Sequence, residues 1–293
     1  MKTMKNISKC LAAILLVVNL SSCVDLEPEP LSFFAPENTF MDKEGLEALL
    51  ITSRKQIKWE WFGDAFNAGY CETPLVYEYA WSDVSVMGAP EVKEIHNLET
   101  QLTPTTSMAL HLRYWDLAWN GIKYANTVIS RVPKSTIDNE TDKNELLAEG
   151  YFHRAYWYYL LVNQWGDVPL LLEEITEPKL DFYTVSRMKI LQQMKTDMEF
   201  AVKWLPKNVK PGCVNRAAGE HLLAKIYLST GDFQLAVDAT TRCINDYGLH
   251  LMKERFGVNA EDASLDVFND LFQEDNISSS ENKEAIFVVQ ERY

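Results

Sequence analysis

The residues of this chain with the clearest chemical capacity are one cysteine near its start and a cluster of aromatic rings after residue 58. Residues 20–23 read Leu20-Ser21-Ser22-Cys23, behind Lys2, Lys5, Lys9 and an apolar run from Cys10 to Val18. That run is shorter than the roughly 20 apolar residues a bilayer span requires. It has the length of the apolar region of a secretory signal. A branched apolar residue, two small residues and a cysteine resemble a bacterial lipobox. Small residues let a peptidase reach the backbone. The thiol of Cys23 then takes a diacylglycerol, and the freed amine takes a further acyl chain. Each buried methylene contributes about 0.8 kcal/mol, so several chains together make a stable anchor. The plainer alternative is an ordinary signal peptide followed by a chance cysteine. Order, spacing and composition favour a lipoprotein signal over 1–22, with Cys23 as the first mature residue.

The second capacity is stacking. Residues 59–81 carry eight rings: Trp59, Trp61, Phe62, Phe66, Tyr70, Tyr77, Tyr79 and Trp81. The segment has no helical period, and loops carry ligand contacts disproportionately. Aromatic faces pair with the C–H faces of sugars, while Asn, Asp, Arg and Gln take hydroxyl hydrogen bonds. Trp81 is the preferred contact, because Ser82 and Asp83 beside it supply polar partners. Asp83, Tyr79, Tyr77 and Tyr70 complete the candidate ligand-binding set. The competing reading is that these rings only seal the segment onto a helical core.

Catalytic and metal patterns are missing. The five histidines (His96, His111, His153, His221, His250) form no metal spacing, and Cys71, Cys213 and Cys243 form no C-x-x-C pair. G-x-S-x-G, P-loop and G-x-G-x-x-G signatures are absent. No pair of carboxylates stands out as an acid/base couple, so no catalytic residue, metal or cofactor is assigned. Asn126 and Arg154 fall on helices, where structural hydrogen bonding is the expected role.

Charge narrows the partners. The net charge is −14, and without the three leader lysines 25 basic residues face 42 acidic ones, a net −17. Such a surface repels phosphate backbones, which excludes nucleic acid as a natural partner.

These residues need a scaffold, and the hydropathy pattern supplies a helical one. Cys23 is followed by Asp25, Glu27, Pro28, Glu29, Pro30 and Pro36, which read as an extended acidic tether over 23–38. From residue 39 one domain runs to 293. Leu46, Leu49, Leu50 and Ile57 share a helical face. A helix is expected over 108–131, with Trp115, Trp119, Ile122 and Ile129 as its stripe and Pro133 as its stop. A polar loop over 134–144 precedes a helix over 145–164. Val168–Leu172 reads as a short extended piece. Thr184 or Ser186 caps a helix carrying Leu191, Met194, Met198, Ala201, Val202 and Leu205. A helix pair then meets at Ser229-Thr230-Gly231-Asp232. Its second member shows the stripe Phe233, Ala236, Val237, Thr240, Cys243, Ile244 and Tyr247. Ile286–Val289 reads as a buried strand.

The spacing Leu223-Ala224-x-x-Tyr227-x-x-x-Gly231-x-Phe233-x-x-Ala236 looks like a tetratricopeptide unit. Four stretches, in order, resemble the SusD/RagB family of Bacteroidetes outer-membrane lipoproteins. They are Cys23-Val-Asp-Leu-Glu-Pro28, Trp119-Asn-Gly-Ile-Lys-Tyr-Ala-Asn126, Arg154-Ala-Tyr-Trp-Tyr-Tyr-Leu-Leu161 running into Trp165-Gly-Asp-Val-Pro169, and Ala224 to Ala236. The resemblance implies a mainly α fold of tetratricopeptide-like hairpins, with long irregular loops and a few short strands. It implies a non-enzymatic protein on the cell outer membrane, lipid-anchored and facing the exterior. Such a protein binds a nutrient, usually a glycan, and delivers it to a SusC-type TonB-dependent transporter. Family members continue past the strand near residue 289, so the C-terminal part of the fold is expected to be missing. The alternative is a cell-envelope tetratricopeptide-like scaffold that binds a protein and no small ligand.

Overall fold

The computed structural model of the protein describes residues 40–62, Val84 and 109–289. Its frame is a series of long helices, each packed chiefly on its neighbours in the chain: α1 (Lys43–Phe62), α2 (Ala109–Arg131), α3 (Glu140–Gln164), α4 (Arg187–Trp204), α5 (Arg216–Thr230) and α6 (Phe233–Asn245). Two short helices, α7 (Val267–Leu271) and α8 (Glu274–Ile277), follow. A two-residue antiparallel ladder joins β1 (Val168–Pro169) to β2 (Thr184–Val185), with Val168 opposite Val185.

The predicted face of α1 is the buried one: Leu46, Leu49, Leu50 and Ile57 are all in the core. The helix also runs further than its pattern suggested. Trp59, Trp61 and Phe62 therefore belong to α1, and Trp59 and Trp61 pack against the core. Glu60 points inward, taking hydrogen bonds from Tyr114 (3.2 Å) and Tyr156 (2.7 Å).

α2 corrects the expected stripe. Its fully buried seam is Tyr114, Ala118, Ile122, Ala125 and Val128, whereas Trp115, Trp119 and Ile129 are only half-buried. Ile122 is buried as expected, and the small residues of the seam, Ala118, Gly121 and Ala125, let α3 approach. Gly121 is the extreme case, since a Cβ there would lie 2.0 Å from Trp157 Nε1. The expected polar loop is shorter than 134–144. Asn139 caps α3 by accepting from the backbone N–H groups of Thr141 (2.8 Å) and Asp142 (3.4 Å), which draws residues 140–144 into the helix.

α4 buries Leu191, Met194, Met198, Ala201 and Leu205 as its pattern predicts. Ser186 is its N-cap residue but makes no side-chain cap; Asp167 Oδ1 instead accepts from the Arg187 N–H at 2.8 Å. α5 and α6 form the expected tetratricopeptide-like hairpin. Gly231 sits at φ 82° and lets the chain reverse. Ala236, Ala239 and Cys243 form the seam, and Arg242 bonds Glu220 at 2.9 and 2.8 Å across it. The larger residues of the predicted stripe lie outside: Phe233, Val237 and Ile244 are 66%, 56% and 60% exposed. Small side chains again take the contact.

Beyond α6, residues 249–285 fold around Arg255. Its guanidinium bonds Asp270, the carbonyls of Asp262 and Leu265, and the Asn259 carbonyl. The strand expected at Ile286–Val289 does not form. The Asn215 side chain takes the Ile286 carbonyl at 2.9 Å, and Ile286, Phe287 and Val289 lean on the core without a ladder partner. Cys243 is buried, which pushes its thiol pKa up, while Cys213 is half-buried. Cys71 lies outside the described residues.

Candidate functional site

Trp59, Trp61 and Phe62 of the aromatic cluster belong to α1, while Cys23 and the whole candidate ligand-binding set (Tyr70, Tyr77, Tyr79, Trp81 and Asp83) lie outside the described residues. Val84, directly after them, is 92% exposed. Within the described residues the concave feature with the most aromatic character lies elsewhere, between α2 and the strap of chain 170–183 that joins β1 to β2.

This cleft has a volume of about 670 Å³. Trp115, Trp119, Ile122 and Lys123 line it from α2; Leu171, Glu173, Ile175 and Phe182 line it from the strap. The two indoles meet edge-on, with centroids 5.4 Å apart, and Trp115 also meets Trp165 at 5.2 Å. The aromatic wall is therefore braced from behind.

A strap this short in regular structure must satisfy its backbone elsewhere. Two helices do it, α2 and α3, with α4 bracing one of their side chains. The Leu171 N–H donates to Tyr158 Oη at 2.6 Å, and Asn126 Nδ2 donates to the Leu171 carbonyl at 2.9 Å. Arg154 Nη1 donates to the Leu172 carbonyl at 2.8 Å and to Asn126 Oδ1 at 3.1 Å. Its Nε and Nη2 hold Asp197 on α4 at 2.8 and 2.9 Å. Further along, the Glu174 N–H donates to Ser130 Oγ at 2.9 Å, while Arg131 grips the Glu174 carboxylate at 2.9 and 2.6 Å. Burial raises the Tyr158 phenol pKa, so its hydroxyl stays protonated. Asn126 and Arg154 thus have the structural role expected of them.

The polar side chains of the lining are largely committed to the frame. Thr127 bonds its own helix through the Lys123 carbonyl, and Glu174 is held by Arg131. Among the described residues no group of three or more His, Cys, Asp or Glu could hold a metal, and no helix is long and apolar enough to cross a membrane. Reasoning from sequence missed the cleft because Trp115 and Trp119 read as core, and Phe182 lies in a polar stretch without period. The only available signal was the pair of large rings beside a seam that needs small residues.

Comparison with known proteins now bears on this frame. A family model described as "Starch-binding associating with outer membrane" (SusD-like_3) matches residues 71–228, more than half of the chain. The SusD-like protein P2 of Formosa agariphila is 27% identical over 238 residues, 80% of this chain and 45% of that protein. A SusD superfamily structure from Bacteroides vulgatus superposes with a TM-score of 0.69 at 20% identity, covering 85% of this chain and 50% of that one. A laminarin-binding SusD-like protein superposes with a TM-score of 0.59 at 23% identity, covering 71% and 46%. The chain thus spans about half the length of these relatives. The helical hairpins, the ordered motifs and the match over 71–228 lead to one conclusion: this chain belongs to the SusD-like family of starch-binding proteins associating with the outer membrane.

Proposed function

We propose that the protein is an outer-membrane lipoprotein, acylated at Cys23 and facing the exterior. It captures a glycan without cleaving it and delivers it to a SusC-type TonB-dependent transporter. The reading rests on the match over residues 71–228 to a family described as starch-binding. The lipobox at Leu20–Cys23, the acidic tether at 23–38 and the domain over 39–293 fit the same assignment. Trp81 and Asp83, with Tyr79, Tyr77 and Tyr70, are the proposed glycan contacts ahead of α2.

Affinity electrophoresis of the full chain through gels containing starch or laminarin tests the binding. Retardation by at least one polymer is expected. Labelling whole cells with a membrane-impermeant reagent tests orientation, and a protein reachable only after outer-membrane disruption would refute the surface assignment. The exposed Phe233, Val237 and Ile244 on α6 favour one second reading, a scaffold for a protein partner. It would replace the first if a periplasmic protein co-purified stoichiometrically while no polysaccharide was retained.

A further inference from the structure

The cleft between α2 and the 170–183 strap has features that its structural role leaves unexplained. Its volume of about 670 Å³ falls within the roughly 300–1,000 Å³ typical of small-ligand sites. Two indoles from α2 and the Phe182 ring from the strap contribute to one lining. Phe182 is 43% exposed and so contributes little to the core. Most of the polar groups are already committed: Asn126 to Leu171 and Arg154, Glu174 to Arg131, and Thr127 to its own helix. Two remain. Lys123, with its ammonium 5.9 Å over the Tyr124 ring, and Glu173 are exposed on the lining, one a donor and the other an acceptor.

Rings to stack on and a few donors and acceptors at the edge match a pyranose: apolar C–H faces rimmed by hydroxyls. A purely aliphatic occupant would leave Lys123 and Glu173 unused. The wall is also preorganised. Tyr158, Asn126, Arg154, Ser130 and Arg131 hold the strap through five of its backbone and carboxylate groups, so little ordering remains to be done on binding.

We infer that this cleft is a glycan subsite separate from the 70–83 segment, stacking a pyranose unit against Trp115, Trp119 and Phe182. The inference rests on the glycan-capture reading above and adds a location and a geometry to it.

Isothermal titration of the full chain with laminarihexaose and maltohexaose provides the test, using Phe182→Ala and Trp81→Ala. Phe182→Ala should weaken binding of whichever oligosaccharide the wild type takes by about tenfold, the scale of one lost aromatic contact. Thermal melts should show Phe182→Ala folded as the wild type is. If Phe182→Ala binds like the wild type while Trp81→Ala abolishes binding, the subsite is refuted and the capture function stands. If the wild type binds neither oligosaccharide and no polysaccharide retards it, both fall. If the apolar dye anilinonaphthalene sulfonate binds in a Phe182-dependent way and neither oligosaccharide displaces it, the cleft takes an apolar occupant and the inference is wrong.

Discussion

Replacing Asp197 by Ala isolates the charge network that holds the cleft wall. Arg154 and Asp197 are each 3% exposed, so both charges sit out of water. The wild-type guanidinium makes four hydrogen bonds: two to Asp197, one to Asn126 and one to the Leu172 carbonyl. It also lies 5.1 Å over the Tyr151 ring. Removing Asp197 deletes two of the four bonds and the only opposing charge among those partners. Breaking a buried pair this way costs about 3–5 kcal/mol, because the remaining charge stays buried without compensation. That is a large share of the roughly 5–15 kcal/mol by which domains are stable. With a urea slope near 3 kcal/mol/M, the unfolding midpoint should fall by about 1–1.7 M. The double variant Arg154→Met/Asp197→Leu removes both charges. It should recover about 1–3 kcal/mol of the loss, leaving about 1 kcal/mol for each of Asn126 Oδ1 and the Leu172 carbonyl, which lose their donor. Urea titrations at pH 7 followed by far-ultraviolet circular dichroism measure all three proteins. A loss below about 1 kcal/mol for Asp197→Ala, or a double variant as unstable as the single one, would refute the uncompensated-charge argument.

Other consequences follow from single sites. Gly121→Ala should destabilise by about 3 kcal/mol, because the added methyl would meet the Trp157 indole and force α2 and α3 apart; a thermal melt within 2 °C of the wild type would contradict this. Asn139→Ala should cost about 1 kcal/mol by stripping the α3 cap, seen as faster amide hydrogen exchange at residues 141–143. Burial pushes the Glu149 carboxyl up, but His153 and Arg54 outweigh it and hold its pKa below the ordinary value. The group therefore adds stability that is fully present above its unfolded pKa and is lost as pH falls through the folded one. Arg54→Met, which deletes bonds of 2.5 and 2.8 Å to Glu149, should flatten the fall in urea midpoint between pH 6 and pH 3.

Where the sequence could be read, large side chains with a single buried face made it possible. Leu46, Leu49, Leu50 and Ile57 on α1, and Leu191, Met194 and Met198 on α4, are buried as their spacing demands. The turn at Gly231 was equally plain, since φ 82° suits little else. The two misplaced stripes, on α2 and α6, share one physical cause. Hydropathy weights size, but closely crossing helices select against size at the point of contact. On α2 the closest approach belongs to Gly121, and on α6 to Ala236, Ala239 and Cys243, while Trp119 and Phe233 stand to the side. Those displaced rings are the ones left available for ligands or partners. The same logic explains why the cleft had no local signature: Trp119 and Phe182 are 63 positions apart, and a strap without helical period brings them to one lining. What places that strap is polar. Asn126 and Arg154, both within stretches that marked the family, spend their hydrogen bonds on Leu171 and Leu172. A motif that reads as helix interior is therefore also what holds the far wall of the cleft.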